Sequence, residues 1–525
     1  MSVALCESIC ASLVLSNLTA SIDSCGYYAA GSTINVQGAQ ATCLSVTHPQ
    51  VDVCRVGLSV ATSDSSENYM EVWLPTDWNG RYLATDNKGL NGCVGYNDMA
   101  YTSSMGFAVS GDNAGHNATS YDGTDFENNN AAIVDWSYRS RHVAVVATKQ
   151  VIEQYYGTPQ NYSYFLGCST GGRQGLKSAQ VYPNDFNGII AGSPASDVNH
   201  LFDWSGRFYL ITGFGTDDRA MSEDQWGFVH EHVLDQCDEV LDGVADGILE
   251  DSSICDFNAT VLRCGVSSDT RCLTSTQVTA VRNVYSQLYD QQGTLLFPRL
   301  SPGTEVDAAA DGTLTGSVQA LTHDWFAYAV YNDKDWDPKT LGQADYTLSD
   351  NLDEVHGYVS TNSGDLSAFR AAGGKLIVHH GMQDHVITGE QSMRYYIHVA
   401  QTMGITHGQM DQFFRFFRIS GAGHCAVGDG AWMFGQNGLA RAASDNIIND
   451  LVNWVENGDA PDTLTGTKFV NDDSSQGIAF ERPHCRFPYR TTYDGVGDPN
   501  ITTSWTCEYI STWRHCGAGN FPRLC

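Results

Sequence analysis

The sequence has few basic side chains: 28 lysines and arginines stand against 60 aspartates and glutamates, which gives a formal net charge of -32. Nucleic acids and anionic membrane surfaces are bound by basic protein surfaces, so this balance argues against both as partners. A large negative charge instead favours solubility in an acidic extracellular medium, where part of the charge is neutralised.

Long apolar runs are also missing. No stretch approaches the roughly 20 apolar residues that a membrane-spanning helix needs. Residues 1–15 lack a basic start and are interrupted by Glu7, so they do not have the pattern of a signal peptide. We expect the chain to begin as a mature protein whose leader has been removed.

The sixteen cysteines do not form CxxC pairs with interleaved histidines, which argues against a zinc site. A cysteine content this high in a chain of 525 residues indicates an oxidising compartment. Five Asn-x-Ser/Thr sequences point the same way, because such sites are glycosylated in secreted proteins. They begin at Asn17, Asn117, Asn161, Asn258 and Asn500. We therefore predict a secreted, extracellular glycoprotein.

Residues 167–172 read Gly-Cys-Ser-Thr-Gly-Gly and contain a Gly-x-Ser-x-Gly pattern centred on Ser169. The preceding segment, 162–166, is aromatic and apolar like a buried strand, and the segment that follows, 173–181, has a helix-compatible composition. Strand, Gly-x-Ser-x-Gly and helix together predict a nucleophile elbow, in which the serine hydroxyl is lifted into a cleft at a helix N-terminus.

An acid and a base follow the serine in the order typical of α/β-hydrolases. Residues 375–381 resemble a late core strand that leads to Asp384, and residues 413–419 resemble another that leads to His424 in a glycine-rich loop. We predict a catalytic triad of Ser169, Asp384 and His424. Four more titratable residues near these loops are weaker candidates: His379, His380, His385 and Asp429.

Cys168 directly precedes the predicted nucleophile, and Cys425 directly follows the predicted base. If Ser169 and His424 lie within hydrogen-bonding reach, their neighbours come to about 4.4–6.8 Å between Cα atoms, which is disulfide distance. We therefore predict a disulfide that clamps the serine to the histidine.

Apolar runs separated by helix-compatible segments predict a doubly wound parallel sheet and an α/β-hydrolase fold. Regular strand patterns begin near residue 68, and the predicted core strands include residues 70–74, 81–84, 142–147 and 188–192. Residues 1–199 and 366–525 are assigned to the catalytic domain, with cysteine-rich terminal segments stapled onto it. Residues 200–365, where core strands pause and aromatic residues accumulate, are assigned to an inserted lid domain.

Cys-Ser-x-Gly-Gly at 168–172, the later Asp384 and the His-Cys pair at 424–425 together resemble the tannase and feruloyl esterase family. The resemblance extends over most of the chain and is greatest to secreted fungal feruloyl esterases. It implies a serine esterase that hydrolyses hydroxycinnamoyl esters, such as feruloyl esters, of plant cell-wall polysaccharide. Two further hypotheses stay open: a tannase that cleaves galloyl esters or a related aromatic-ester hydrolase, and an inactive carbohydrate- or polyphenol-binding protein on the same scaffold.

The segment from Asp235 to Ile248 contains Asp-Gly-x-x-Asp-Gly, which offers hard oxygen ligands and tight backbone turns suited to calcium. The family resemblance implies a structural calcium here, with an upstream acidic ligand at Asp238 or, as an alternative, at Glu239. The remaining expected ligands are carboxylates and carbonyls at alternating positions: Asp242, Val244, Asp246 and Ile248.

An oxyanion hole needs two N–H donors beside the nucleophile. The backbone N–H of Thr170, the residue after Ser169, is the expected first donor. The second is expected from the loop at 86–93, where Gly89 and Leu90 are the two candidates.

Overall fold

A nine-stranded sheet forms the centre of the protein in the computed structural model, which describes residues 3–36, 43–119, 121–436 and 446–510. The parts of the predicted catalytic domain at 437–445 and 511–525 lie outside these residues. In chain order the strands are β1 (Ala20–Tyr28), β2 (Val53–Ala61), β3 (Glu67–Pro75), β4 (Arg81–Thr85), β5 (Ala108–Asp112), β6 (Tyr162–Cys168), β7 (Gly188–Gly192), β8 (Lys375–Gly381) and β9 (Phe414–Ile419).

The spatial order of these strands is β1-β2-β3-β5-β4-β6-β7-β8-β9. From β5 to β9 all neighbours are parallel, whereas β1, β2, β3 and β5 pair antiparallel. The parallel strands are apolar on both faces because helices cover them, as β7 shows with five buried residues. A large mixed sheet covered by helices confirms the predicted α/β class.

Fifteen α-helices connect and cover the strands within the described ranges. They are α1 (Val3–Ser12), α2 (Tyr96–Ser104), α3 (Asn130–Val134), α4 (Ser140–Tyr156), α5 (Thr170–Val181), α6 (Val198–Thr212), α7 (Glu223–Asp242), α8 (Ser275–Val284), α9 (Glu305–Ala310), α10 (Ala320–Asp324), α11 (Gln343–Leu352), α12 (Ser367–Ala371), α13 (Gly389–Met403), α14 (His407–Met410) and α15 (Ile447–Asn457). None of the described helices combines the length and the apolarity needed to cross a bilayer.

The prediction of a core strand at 142–147 was wrong, because these residues belong to helix α4. The buried positions of α4 include Ala144, Thr148, Val151 and Tyr155, which recur every three or four residues. That spacing places them on one helix face, and a six-residue window of apolar residues was too short to reveal it.

Strands β1 and β2 precede residue 68 and were not predicted. Strand β1 lies at the edge of the sheet and is exposed or half-buried along its whole length, so it lacks an apolar alternation. Disulfides tie the N-terminal region to the rest of the chain: Cys6–Cys54, Cys10–Cys25 and Cys43–Cys93. The C-terminal region contains paired strands at Thr463–Phe469 with Ile478–Cys485 and at Tyr489–Tyr493 with Trp505–Tyr509.

Residues 200–365, predicted as an inserted lid domain, are mainly helical and contribute most of one hydrophobic core. Helix α7 begins at a capping box formed by Ser222 and Gln225, and α8 begins at an equivalent one. Five aromatic side chains of this insertion are fully buried in the core: Trp204, Phe208, Trp226, Trp325 and Phe326. Their burial explains how the insertion is stabilised.

Candidate active site

Ser169 lies at the turn between β6 and α5, with φ 65° and ψ -124°. A non-glycine residue in this conformation is strained and needs support from its surroundings. Its N–H donates to the Gly192 carbonyl at 2.9 Å, which holds the turn against the end of β7. The side chain is half-buried at the N-terminus of α5, as a nucleophile elbow requires.

The glycines of the elbow are required by close packing. A Cβ at Gly171 would lie 2.0 Å from Asp86 Oδ2, and a Cβ at Gly167 would lie 2.8 Å from the Gly171 backbone. The Asp86 carboxyl occupies that space because its Oδ2 accepts the Cys168 N–H at 2.7 Å. Burial, followed by the charge of Asp98, raises the pKa of Asp86 to about 7.

Asp384 and His424 are in direct contact: His424 Nδ1 lies 2.8 Å from Asp384 Oδ2. Asp384 follows β8, and its Oδ1 accepts the N–H groups of Val386 and Ile387, each at 2.9 Å. Burial alone would raise the pKa of Asp384, but the nearby His424 and His380 hold it well below its usual range. The carboxylate is therefore ionised, fixed in direction and aimed at the imidazole.

Cys168 and Cys425 form a disulfide, with 5.9 Å between their Cα atoms. Ser169 and His424 are thus the sequence neighbours of two cysteines that are joined to each other. The bridge spans 257 residues of sequence, so it connects the strand that carries the serine to the loop that carries the histidine.

Three of the weaker candidates for the acid and the base have partners away from the triad. His379 is buried, its pKa is lowered to about 3 by burial, and its ring packs edge-on against Phe434. His385 pairs with Asp311 of the insertion at 3.0 Å, and Asp429 accepts a hydrogen bond from the Gln383 side chain. These contacts direct each of the three side chains to a different partner.

His380 differs from His379 and His385 because it touches the acid itself. Its Nε2 lies 3.2 Å from Asp384 Oδ2, the same oxygen that contacts His424. From the sequence, His380 is a weaker candidate for the role of base. Two histidines in succession at the end of a strand were the available signal, because side chains alternate in direction along a strand and the two rings must face different surroundings.

The 86–93 loop is fixed beside the elbow by hydrogen bonds to its carbonyl groups. Thr170 Oγ1 and the Trp136 indole N–H both donate to the Gly89 carbonyl, at 2.9 and 3.3 Å. A ring nitrogen of the buried His116 lies 2.7 Å from the Leu90 carbonyl oxygen. Gly89 has φ 53°, a conformation that suits glycine. The loop named as the source of the second oxyanion donor therefore contacts the residue that follows Ser169.

The predicted calcium segment at 235–248 starts within the last turns of α7, which ends at Asp242 and is followed by the left-handed Gly243 with φ 87°. Asp238 is buried on the last turns of α7, whereas Glu239 is exposed. Asp242 and Asp246 each accept a backbone N–H two residues ahead, from Val244 and Ile248, which curls the loop around its carboxylates.

Two carboxylate oxygens in this segment suit a cation. Asp238 Oδ1 and Asp242 Oδ2 are buried and have no hydrogen-bond partner among the described residues. Burial raises the pKa of Asp238 to about 6 and of Asp242 to about 7, since nothing nearby compensates their charges fully. A divalent cation would compensate them, so these two oxygens suit calcium, while Asp246 Oδ2 is paired with Arg482 at 2.8 Å. The burial of Asp238 favours it over Glu239 as the upstream ligand.

The five predicted glycosylation sites have exposed asparagines: Asn17, Asn117, Asn161, Asn258 and Asn500. Exposure is required for glycan attachment, so all five stay compatible with it.

Residues 52–508 match the protein family described as Tannase and feruloyl esterase. The chain belongs to the tannase and feruloyl esterase family. The resemblance seen in the motifs is thereby confirmed, and the protein is a carboxylic ester hydrolase.

Curated relatives of the family are similar over nearly their full length. A probable feruloyl esterase B-2 of Aspergillus terreus is 42% identical over 509 residues, covering 96% of this chain and 94% of the relative. A probable feruloyl esterase B-2 of Aspergillus flavus is 43% identical over 469 residues, covering 88% and 89%.

Solved structures agree with this assignment. The crystal structure of feruloyl esterase B from Aspergillus oryzae has a TM-score of 0.91 and 38% identity, covering 96% of this chain and all of that one. Tannin acyl hydrolase from Aspergillus niger has a TM-score of 0.73 at 21% identity, covering 97% and 96%, and shows that the fold is shared.

Proposed function

We propose that the protein is a secreted serine esterase of the α/β-hydrolase fold that hydrolyses hydroxycinnamoyl esters, such as feruloyl esters, of plant cell-wall polysaccharide. The observation that carries the proposal is the 2.8 Å contact between Asp384 and His424, next to a disulfide that leads to Ser169. The acyl group is inferred from the relatives, which are named probable feruloyl esterases.

In the first half of the reaction, the Ser169 hydroxyl attacks the ester carbonyl carbon while His424 takes its proton. Asp384 keeps the proton of the neutral imidazole on Nδ1 and stabilises the imidazolium that forms. When the tetrahedral intermediate collapses, the carbon–oxygen bond to the sugar breaks and His424 returns the proton to the departing alcohol. The products are a free sugar hydroxyl and an acyl-enzyme on Ser169.

In the second half, water attacks the acyl-enzyme and His424 again acts as the base. The hydroxycinnamic acid leaves, and Ser169 recovers its proton. Both half-reactions generate an oxyanion, for which the Thr170 N–H and the N–H of Gly89 or Leu90 are the proposed donors. Removal of one such donor typically weakens transition-state stabilisation by about 2.7–4 kcal/mol.

Residues 200–365 are proposed to form a lid domain over this site, with a structural calcium at its α7 end. The ligands would be Asp238 and Asp242, with Asp246 and the carbonyls of Val244 and Ile248. Bound calcium would supply positive charge that cross-links the loop, and the hydrolytic steps belong to the triad alone.

Secretion is supported by the seven disulfides of the described residues and by the five exposed glycosylation sequences. Disulfides persist in oxidising compartments such as the extracellular medium, where polysaccharide substrates are found.

The triad is tested by Ser169→Ala with Ser193→Ala as its matched control. Ser193 lies at the end of the neighbouring strand β7, is buried, and its hydroxyl has no partner among the described residues. Ser169→Ala should lower kcat on methyl ferulate by about 10⁴-fold or more, while Ser193→Ala should stay near the parent value. Equal activity of both variants would refute Ser169 as the nucleophile.

Two further measurements separate this function from the two hypotheses that compete with it. Turnover of methyl ferulate is compared with that of methyl gallate, and a strong preference for gallate would make the protein a tannase. Labelling of Ser169 by a serine-reactive phosphonate tests whether the triad is active. Folded protein that forms no adduct would favour an inactive carbohydrate- or polyphenol-binding protein.

A further inference from the structure

We propose that His380 is a positioning residue of the active site, which holds the acid Asp384 in the orientation that His424 needs. The inference rests on the proposed serine esterase function and adds a fourth side chain to its triad.

His380 is fully buried, and each of its ring nitrogens has a defined partner. Nε2 lies 2.7 Å from the Ile387 carbonyl oxygen and 3.2 Å from Asp384 Oδ2. Both partners are acceptors, so Nε2 must carry a proton that it shares between them. Nδ1 lies 2.7 Å from Ser392 Oγ on α13, a hydroxyl that can donate to it.

The contacts of Ile387 close a ring with the acid. The N–H of Ile387 donates to Asp384 Oδ1, while its carbonyl accepts from His380. His380 belongs to β8, so this ring fastens the loop of the acid to the core of the sheet. Movement of the Asp384 carboxylate would break its contact with His380 and its contact with the Ile387 N–H at once.

His424 Nδ1 meets the same Oδ2 that His380 contacts. Oδ1 is already occupied by two backbone N–H groups, so Oδ2 is the oxygen left to hold the base. Removal of the His380 contact would leave Oδ2 held by His424 alone. The carboxylate could then follow the imidazole instead of fixing it. A misplacement of about 1 Å at a reacting group can lower the rate by about 10²-fold.

His380 has no route to the substrate as a base, because it is buried behind Asp384 and its two nitrogens are engaged. Its role is therefore expressed through kcat and not through substrate binding.

The experiment compares His380→Gln with His380→Asn. The glutamine amide nitrogen reaches about as far as Nε2 and can still donate toward Asp384, whereas the asparagine amide nitrogen reaches only as far as Nδ1. We expect Asn to lower kcat on methyl ferulate by about 10- to 100-fold with KM within about twofold, and Gln to recover most of the loss. Stoichiometry of phosphonate labelling counts the folded active sites in each preparation, so kcat is expressed per competent site.

Equal kcat per site in the two variants, whether unchanged or equally reduced, would overturn the inference, as would an effect on KM alone. An inert and unlabelled parent protein would instead refute the proposed esterase function, so the two failures are distinguishable.

A second pair of variants keeps the test decisive if the His380 variants do not fold. Ser392→Ala removes the partner of Nδ1, and Ser178→Ala is its control, since the Ser178 hydroxyl donates to the Gln174 carbonyl within its own helix. We expect kcat to fall about two- to fivefold in the first and to stay unchanged in the second, because one neutral hydrogen bond is worth about 1 kcal/mol. Unchanged kcat in Ser392→Ala would contradict a chain of contacts through His380.

Discussion

Cys168 and Cys425 are joined by a disulfide that places their Cα atoms 5.9 Å apart, and each adjoins one of the two residues proposed to exchange a proton, Ser169 and His424. The two cysteines are 257 residues apart in sequence, and the large insertion at 200–365 lies between them. The cross-link therefore keeps the backbone of Ser169 close to that of His424 independently of how the insertion is arranged.

Loss of this cross-link should impair turnover more than loss of a distant one. In Cys168→Ala/Cys425→Ala we expect kcat on methyl ferulate to fall by up to about 10²-fold, because the alignment of Ser169 and His424 is relaxed. Cys485→Ala/Cys507→Ala, which removes a C-terminal disulfide, is the control and should keep kcat per folded molecule. Thermal unfolding measures the loss of stability in each double variant. For the Cys168–Cys425 disulfide, which closes a long loop, we expect a loss of up to about 5 kcal/mol. A parent-like kcat in the first variant would mean that the bridge serves stability alone.

Replacing the acid without changing its shape should separate charge from packing. Asp384→Asn offers an amide where His424 needs an acceptor, so the wrong imidazole tautomer is favoured and kcat should fall on the order of 10⁴-fold with little change in KM. Asp429→Asn, in the loop that follows His424, is the control, because its carboxylate is exposed and contacts Gln383. Similar losses in the two variants would contradict the assignment of Asp384.

The turn at Ser169 left a clearer pattern in the sequence than the edge of the sheet did. At positions 167 and 171 neighbouring atoms lie too close to leave room for a Cβ, so only glycine fits there. These two glycines flank Ser169 in the sequence, which is why the elbow could be recognised from a local pattern. Strand β1 left none, since its edge position exposes most of it and its pairing with β2 is non-local. Helix α4 was mistaken for a strand because a short apolar run does not distinguish the two periodicities.

The orientation of side chains on a correctly predicted element was also out of reach. His379 and His380 occupy opposite faces of β8, and the pattern of the strand does not say which of them faces Asp384. Asp238 and Glu239 differ by about 100° around helix α7, and only the packing of the helix decides that Asp238 is the buried one. Both choices depend on tertiary contacts that no local signal records.

Calcium should stabilise the protein through the α7 loop. We expect a chelator to lower the Tm of the parent protein and added calcium to restore it, because the cation compensates the buried charges of Asp238 and Asp242. Asp242→Asn should abolish the calcium-dependent part of the Tm, whereas the exposed Glu239→Gln should keep it. A Tm that does not respond to chelator or calcium would rule out the site, and a response lost in Glu239→Gln would move the ligand to that residue.

The buried Asp86 beneath the elbow should make stability depend on pH. Its pKa is about 7 in the folded protein against an ordinary value of 3.8, first because it is buried and then because Asp98 is near. Folding thus favours its protonated form, and this contribution is fully present below about pH 3.8 and is lost as the pH rises through about 7. Asp86→Asn cannot ionise and retains an oxygen that can accept the Cys168 N–H.

We therefore expect Asp86→Asn to gain stability relative to the parent as the pH is raised from 4 to 8, by up to about 4 kcal/mol. The measurement is the difference in unfolding free energy, or in Tm, between the two proteins across that range. Asp64→Asn, at an exposed position, should show no such trend. A difference between Asp86→Asn and the parent that stays constant with pH would mean that Asp86 is ionised throughout, with its charge compensated by neighbours such as Lys88 and Arg141, both of which act to lower its pKa.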